Sequence, residues 1–314
     1  MRRWNVLAAL AAAAAMLALL APAALAQGGG KIIVGYTATA DFAPGFIAMD
    51  QGLFKKRGLD VEFKIVPLNS QLPAAVESDS ITFGGTTISV LLQAIDGGLD
   101  HVAVAGSGVT DKNQDTLGAV VRADLPYAKP DDFVGKKVGA PGLGAFLHVL
   151  FRNWLIDNGV DYKKVTFVEV GFPQMADVLK SGNVDAVVTG EPVMGRIVSA
   201  GIGKKVTTFV DNLKVELPII VYSATRKWVN ANPAAAKAFR EAIAEATEIA
   251  NKDGAAVRAS TANFIKMPPD VIANMKLGRW NAAVTETGMG GWIDIMKKQD
   301  MFRSPMDVKK VIAQ

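Results

Sequence analysis

Cysteine is absent from all 314 residues. That excludes disulfides, thiolate metal sites and a cysteine nucleophile, and it removes the lipid-modified cysteine that would tether an exported lipoprotein. Histidine is scarce. His101 opens an apolar strand-like run and His148 falls off the apolar face of its helix, so both read as structural or surface groups, not metal ligands. No Ser/His/Asp order and no paired carboxylates at motif spacing stand out, so no catalytic residue, metal or cofactor is expected. Gly142-x-Gly144 is a fragment of a phosphate loop, but no G-x-G-x-x-G and no P-loop lysine completes it, which argues against a nucleotide fold.

A strong charge imbalance is also missing. Without Arg2 and Arg3 the 34 basic side chains fall to 32 against 30 acidic, a formal charge of +2, and nothing calls for nucleic acid. Long apolar runs are confined to one place. Met1-Arg2-Arg3-Trp4-Asn5 precedes an alanine-rich run from Val6 to Ala26 that ends in Ala24-Leu25-Ala26, the order of a secretory signal peptide. The run is long enough to span a bilayer, but it contains Pro22 and closes on an A-x-A cleavage signal. Cleavage after Ala26 would leave 288 residues. The expectation is a free, monomeric periplasmic protein that is not a lipoprotein, with enough chain for two lobes.

What is present is a repeated order of elements. A strand from Lys31 to Tyr36, a helix through Phe46 to Phe54, a strand from Val61 to Val66, a helix around Gln71 to Glu77 and a strand at Ile81 to Phe83 read β-α-β-α-β. The order recurs from a strand at Lys137 to Ala140, through a helix from about Gly144 to Asn158, a strand Val165 to Val170 and a helix Gln174 to Ser181, to a strand Val184 to Val188. Phe146, Leu147, Leu150, Phe151, Trp154 and Leu155 share one face of the first of those helices, and Asn158-Gly159 stops it. Thr116 to Arg122 and Leu217 to Tyr222 are candidates for paired hinge strands. After them come helices, opened by Asn232-Pro233 as a cap and first-turn proline. The predicted class is α/β, with two Rossmann-like lobes joined by two hinge strands. Residues 27–117 with 220–314 form one lobe, and 118–219 form the other.

Ligands in open parallel sheets sit beyond the carboxyl ends of the strands. Four loops satisfy that rule: Thr37 to Phe42, Gly84 to Thr87, Pro141 to Ala145 and Thr189 to Pro192. Their glycines allow close backbone approach, and their threonines offer hydrogen bonds without charge. Glu191 is the most informative residue, because a carboxylate at a strand end can hold an amino or ring N–H. Phe42, Phe46 and Phe172 are candidates for a flat apolar wall. Trp280 and Trp292 read as core, and Arg240, Glu241, Glu245 and Glu248 as a solvated helix face.

Three stretches carry a resemblance: Ala48 to Glu62 (AMDQGLFKKRGLDVE), Val138 to Gly144 (VGAPGLG) and Leu179 to Pro192 (LKSGNVDAVVTGEP). Through them the chain resembles periplasmic binding proteins of the nitrate/sulfonate/taurine type, whose superfamily includes thiamine-precursor binders. The resemblance implies a type II periplasmic binding fold that closes on a small-molecule ligand. It also implies docking on an ABC permease in the inner membrane, driven by a cytoplasmic ATPase. Ligand contacts carried over by position are Thr37, Thr39, Asp41 and Phe42; Gly85, Thr86 and Thr87; Gly142, Leu143, Gly144 and Ala145; and Glu191, with Phe172 beside them. Where the family often has a hydroxyl, this chain reads Gly142-Leu143-Gly144-Ala145, and none of the four loops contains arginine or lysine. Nitrate and simple sulfonates are therefore disfavoured against an aromatic or heterocyclic body with at most one anionic group. A similar enzyme, the fungal pyrimidine synthase of the thiamine pathway, relies on a cysteine-rich motif and iron, and this chain has no cysteine.

Overall fold

The computed structural model describes residues 30–313 apart from 112, 114, 212 and 214; the export signal expected over residues 1–26 lies outside the described residues. The chain begins with Ile32–Tyr36 (β1), then Ala43–Asp50 (α1), Leu53–Lys56 (α2) and Val61–Ile65 (β2). The single helix expected through Phe46 to Phe54 is thus two. It is parted at Gly52, whose φ of 67° lies in the left-handed region that glycine enters without a Cβ clash. Leu72–Glu77 (α3), Phe83–Thr87 (β3), Ile88–Asp96 (α4) and His101–Gly106 (β4) follow.

The chain then crosses through Gly108–Val109 (β5) to Leu117–Arg122 (β6), Lys137–Ala140 (β7) and Phe146–Asp157 (α5). Next come Thr166–Glu169 (β8), Met175–Lys180 (α6), Ala186–Gly190 (β9), Val193–Ser199 (α7) and Gly203–Thr207 (β10). It returns to Ile220–Thr225 (β11) and Arg226–Ala231 (α8), and continues with Pro233–Lys252 (α9), Gly254–Phe264 (α10) and Pro269–Asn274 (α11). Arg279–Trp280 (β12) and Glu286–Lys297 (α12) complete the elements the site depends on. Asn232 stands at the N-terminus of α9 but does not cap it by its side chain, which donates instead to the Trp228 carbonyl at 2.9 Å.

Two five-stranded sheets result, ordered β2-β1-β3-β11-β4 and β10-β6-β9-β7-β8. Read from opposite ends they are the same plan: three parallel strands, then an antiparallel strand, then an edge strand. The antiparallel members, β11 and β6, are the two runs read from sequence as a hinge pair. They lie in different sheets, and the crossing segments pair beside them instead. Val109 bridges Pro218, Thr110 N–H donates to the Leu217 carbonyl at 2.8 Å, and Ile219 N–H donates to the Gly108 carbonyl at 2.7 Å.

Helices α1, α9 and α10 pack on one another beside the first sheet. There Tyr36, Phe42, Phe46 and Phe264 interlock, the last two rings stacked at 4.6 Å. In the second half Phe133, Phe151, Trp154 and Phe209 form the corresponding aromatic core. Burial of such rings dominates the stabilisation of a fold of this size, at roughly 25 cal/mol per Å² of apolar surface removed from water. Helix α12 packs on both α4 and α5, so the C-terminal part of the chain touches both halves. Arg240 is not on a purely solvated face: its guanidinium donates to the Val104 and Ala313 carbonyls at 2.9 and 3.3 Å.

Candidate functional site

A cavity lies between the two sheets, walled by the turns that follow β1, β7 and β9 and by the end of β3. After β1, Thr39 has extended backbone and caps a 3-10 turn, Ala40–Phe42, accepting the Asp41 N–H. The same hydroxyl donates to the Asp41 carboxylate at 2.7 Å. Ser107 Oγ donates to the Asp41 carbonyl at 2.7 Å, and Trp280 Nε1 donates to that of Ala40 at 3.3 Å. The turn is therefore held from three directions, with Thr37, Thr39 and Asp41 lining the cavity.

Asn69, before α3, fixes the next wall. Its amide donates to the Gly85 carbonyl at 3.2 Å and accepts from the N–H and hydroxyl of Thr87 at 3.0 and 3.1 Å. From the second sheet come Pro141, Ala145, Phe146, Phe172 and Glu191, and the crossing segments add Thr116, Leu117 and Ile219. Lys276, Gly278 and Trp280 close the cavity from the C-terminal part of the chain.

Glu191 is 5% exposed. Burial pushes its carboxyl up to about 7, moderated by the Gly195 N–H at 3.3 Å and by the backbone and charge of Lys276. Asp41 keeps some exposure, yet burial pushes its carboxyl up to about 6 against the opposing effect of the Thr39 hydrogen bond. A buried carboxyl resists ionisation because the charged form loses its hydration. Two such groups in one cavity favour a ligand that brings N–H donors or positive charge to replace that hydration.

The walls meet around this space. Ala40 N–H donates to the Glu191 carbonyl at 3.1 Å, and Asn69 N–H to that of Pro141 at 3.2 Å. At the outer lip, Gln93 Nε2 donates to the Gly144 carbonyl at 2.9 Å, and Glu169 Oε1 accepts from Ser70 Oγ at 2.9 Å and Leu143 N–H at 2.8 Å. The cavity volume is about 40 Å³, room for a few waters.

Of the residues picked from sequence, the structure brings Thr37, Thr39, Asp41, Thr87, Ala145, Phe172 and Glu191 to the cavity. The others stand outside it for identifiable reasons. Phe42 is fully buried against Tyr36 and Tyr222, and Phe46 stacks on Phe264, so neither forms a wall of the cavity. Gly84 to Thr87 is strand β3 and not a loop. Strand alternation sends Thr86 to the face opposite Thr87, where its hydroxyl meets Ser223 at 3.2 Å. Gly85 faces the Phe42 ring, leaving no room there for a Cβ.

Gly142, Leu143 and Gly144 form the lip. Leu143 is 42% exposed, and Gly144, at φ 79°, turns its N–H to His148 Nδ1 at 2.9 Å. His148 is thus buried rather than superficial, its ring edge-on to Phe167. Burial, with help from Arg152, pushes it down to about 3, so the imidazole is neutral with its proton on Nε2.

Sequence reasoning missed Asn69, Lys276 and Trp280. Asn69 before a proline-containing first turn is a readable signal, since asparagine favours turn positions. Lys276 and Trp280 reach the cavity only by the return of the chain, and no local pattern marks them. Trp280 was expected in the core; it is buried, but lines the cavity, whereas Trp292 is core and donates to the Pro218 carbonyl at 2.8 Å. Lys276 brings a basic residue to the cavity from outside the four loops, which themselves contain none. Among the described residues no group of three or more His, Asp or Glu could hold a metal.

A family model described as "NMT1/THI5 like" matches residues 39–256. The chain is 26% identical over 251 residues to the nitrate/nitrite binding protein NrtA of Synechococcus elongatus, covering 68% of this chain and 54% of that protein. It is 26% identical over 152 residues to the riboflavin-binding protein RibY of Chloroflexus aurantiacus, covering 48% of this chain and 42% of that protein. The chain therefore spans only part of the length of these relatives. Among solved structures, the alkanesulfonate-binding protein SsuA of Xanthomonas axonopodis, bound to MOPS, superposes with a TM-score of 0.77 at 17% identity, over 92% of this chain and 99% of that one. The nitrate-binding protein NrtA of Synechocystis gives 0.74 at 19% identity, over 89% of this chain and 84% of that one. These neighbours share the type II periplasmic binding-protein fold.

Proposed function

We propose, because this chain belongs to the NMT1/THI5-like family, that it is the periplasmic solute-binding component of an ABC importer. In this reading it binds one small molecule and performs no chemistry on it, and an export signal at residues 1–26 delivers it. Its partners are a membrane permease and a cytoplasmic ATPase. The lobes are residues 27–117 with 220–314, and 118–219.

The ligand is an aromatic or heterocyclic molecule bearing N–H donors. One observation carries this: Glu191 and Asp41, both pushed toward neutrality by burial, share the cavity with Phe172 and Trp280. A flat ring stacks on the aromatic side chains while its N–H groups meet carboxylates that ionise on contact. A relative named for riboflavin, a flat heterocycle, is consistent with such a cargo.

The mechanism is hinge closure. A cavity that holds benzene measures roughly 150 Å³, several times the space between the walls here, so an aromatic ligand enters only when the walls part. The crossing segments paired at Val109 and Pro218 are the natural pivot. Contacts to both walls then give the ligand its preference for the closed state.

Lys276 supports a second reading, an oxyanion held at the Glu191 end, in line with relatives named for nitrate and sulfonate. Two carboxyls beside a single partly solvated lysine oppose it. Native mass spectrometry of the protein purified from the periplasm, followed by titration calorimetry, separates the two. Nanomolar to micromolar binding of amino-substituted heteroaromatics is expected. The same affinity for taurine or nitrate, with no response to the heteroaromatics, would overturn the proposal.

A further inference from the structure

On either side of α12 the chain is tied to the first lobe. Before it, Asn281 N–H donates to the Ser107 carbonyl at 2.9 Å, and Gly106 N–H to that of Ala282 at 2.8 Å. After it, the Arg303 and Ser304 N–H groups donate to the Asp96 carboxylate, at the end of α4, at 2.9 and 3.2 Å. Residues 311–313 then bond to Ala103 of β4. The helix itself lies against the second lobe. Trp292 meets the Phe146 ring edge-on at 5.9 Å, and Lys298 Nζ stands 3.5 Å from Asp157. Gln299, just past the helix, sends Nε2 to the Val149 carbonyl of α5 at 3.0 Å.

This contact is not built like a permanent core. Gln299 is 4% exposed, and its Oε1 is buried without a hydrogen bond among the described residues. Asn153 Oδ1, on α5 facing the same helix, is buried in the same way. Both amides use their N–H groups, Gln299 on Val149 and Ile295 and Asn153 on Asp157, and leave their oxygens unmatched. Two dehydrated acceptors destabilise a fixed interior, whereas an interface that parts restores their hydration each time it opens. Surfaces between mobile domains are accordingly more polar than cores. Packing is open here too, with a hollow of about 780 Å³ between α5, α12 and residues 213–217.

We propose that α12 stays with the first lobe and that its interface with α5 parts when the cleft opens, so that Gln299 sets the balance of open and closed forms without touching the cargo. The inference rests on hinge closure and not on which molecule is bound. Closing dehydrates Gln299 Oε1 and Asn153 Oδ1, so this interface opposes closure, and ligand contacts in the cleft outweigh it. A change in that balance alters apparent affinity from a distance.

Interlobe distances in the ligand-free mature protein, refolded from guanidinium to strip retained cargo, test this. Lys64→Cys and Thr166→Cys, exposed on the edge strands β2 and β8, carry spin labels in a chain with no other cysteine, and pulsed electron resonance reads the distance. Gln299→Met keeps the side-chain length, removes the dehydrated oxygen and leaves the Val149 carbonyl its helical bond within α5. It should raise the closed-to-open ratio about fivefold or more. Gln299→Glu at pH 8 would bury a charge on closing and should lower the ratio about tenfold or more. One of the two variants moves the distribution whichever form predominates in the parent. Identical distributions in all three proteins would overturn the proposal, because α12 would then travel with the second lobe. Two distances in that shared distribution would leave hinge closure standing, and a single distance would remove it as well.

Discussion

Ala40 N–H donates to the carbonyl of Glu191 at 3.1 Å, so the turn that presents Asp41 and the turn that presents Glu191 are joined directly across the cleft. The two turns therefore separate only when that bond breaks. A ligand touching both reports on closure.

Glu191→Gln keeps the size of the side chain and removes its charge. A hydrogen bond to a charged group contributes about 1.5–3 kcal/mol, so affinity for an N–H-bearing ligand should fall about 10- to 100-fold. Calorimetry measures the fall, and circular dichroism should be unchanged. Thr86→Ala should leave affinity within about threefold, since Thr86 faces Ser223 and not the cavity.

Stability should fall as pH rises through the window set by the two carboxyls. In the folded state Glu191 holds its proton to about 7 against an ordinary 4.5, and Asp41 to about 6 against 3.8. Between those values the folded state binds more protons than the unfolded chain, so ∂ΔG/∂pH of unfolding is negative for these groups. Urea denaturation at pH 5 and pH 7.5 should show this contribution shrinking in Glu191→Gln and further in the double variant with Asp41→Asn. Ligand affinity carries the opposite sign. A donor ligand prefers ionised Glu191, so binding should strengthen, with proton release, as pH rises toward 7 and level off above it, whereas an oxyanion would strengthen toward pH 5.

His148 should remain neutral down to about pH 4, with its proton on Nε2, as 15N spectra of the imidazole would record. Its depressed value means that the unfolded chain binds more protons between about 3 and 6.5, so this group adds stability as pH rises across that range. His148→Ala should cost about 2–4 kcal/mol, from the cavity left against Phe167 and the unpaired Gly144 N–H.

Trp280→Leu should weaken binding of an aromatic ligand by roughly tenfold while the fold survives, since stacking contributes about 0.5–1.5 kcal/mol beyond area burial. Tryptophan fluorescence supplies the check: a stacked ligand should quench it in the native protein and much less in the variant.

The architecture was legible because it is written locally. The apolar stripes of Lys31 to Tyr36 and Lys137 to Ala140, and the helix at Phe146 to Leu155, fix strands and helices by their own periods. Glu191, Asp41 and Thr37 were legible for the same reason, each lying just past a strand end. Phe42 and Gly85 were misplaced because loop membership does not reveal side-chain direction, and β3 runs on from Phe83 to Thr87, past its apolar residues. Trp280 depends on a long-range clamp. Asn251 accepts its N–H at 3.2 Å and donates to its carbonyl at 2.9 Å, and β12 pairs with β5, a partner about 170 residues earlier in the chain.

The two sheets share one plan but differ in when each can be completed during synthesis. Every strand of the second lies between Leu117 and Thr207, so it is whole once that stretch emerges. The first needs β11: β4 has no other partner within the sheet, and β3 gains its second neighbour only from Ile220–Thr225. More than a hundred residues must be made after β4 before its lattice can close, which makes this sheet the slow, non-local part of folding.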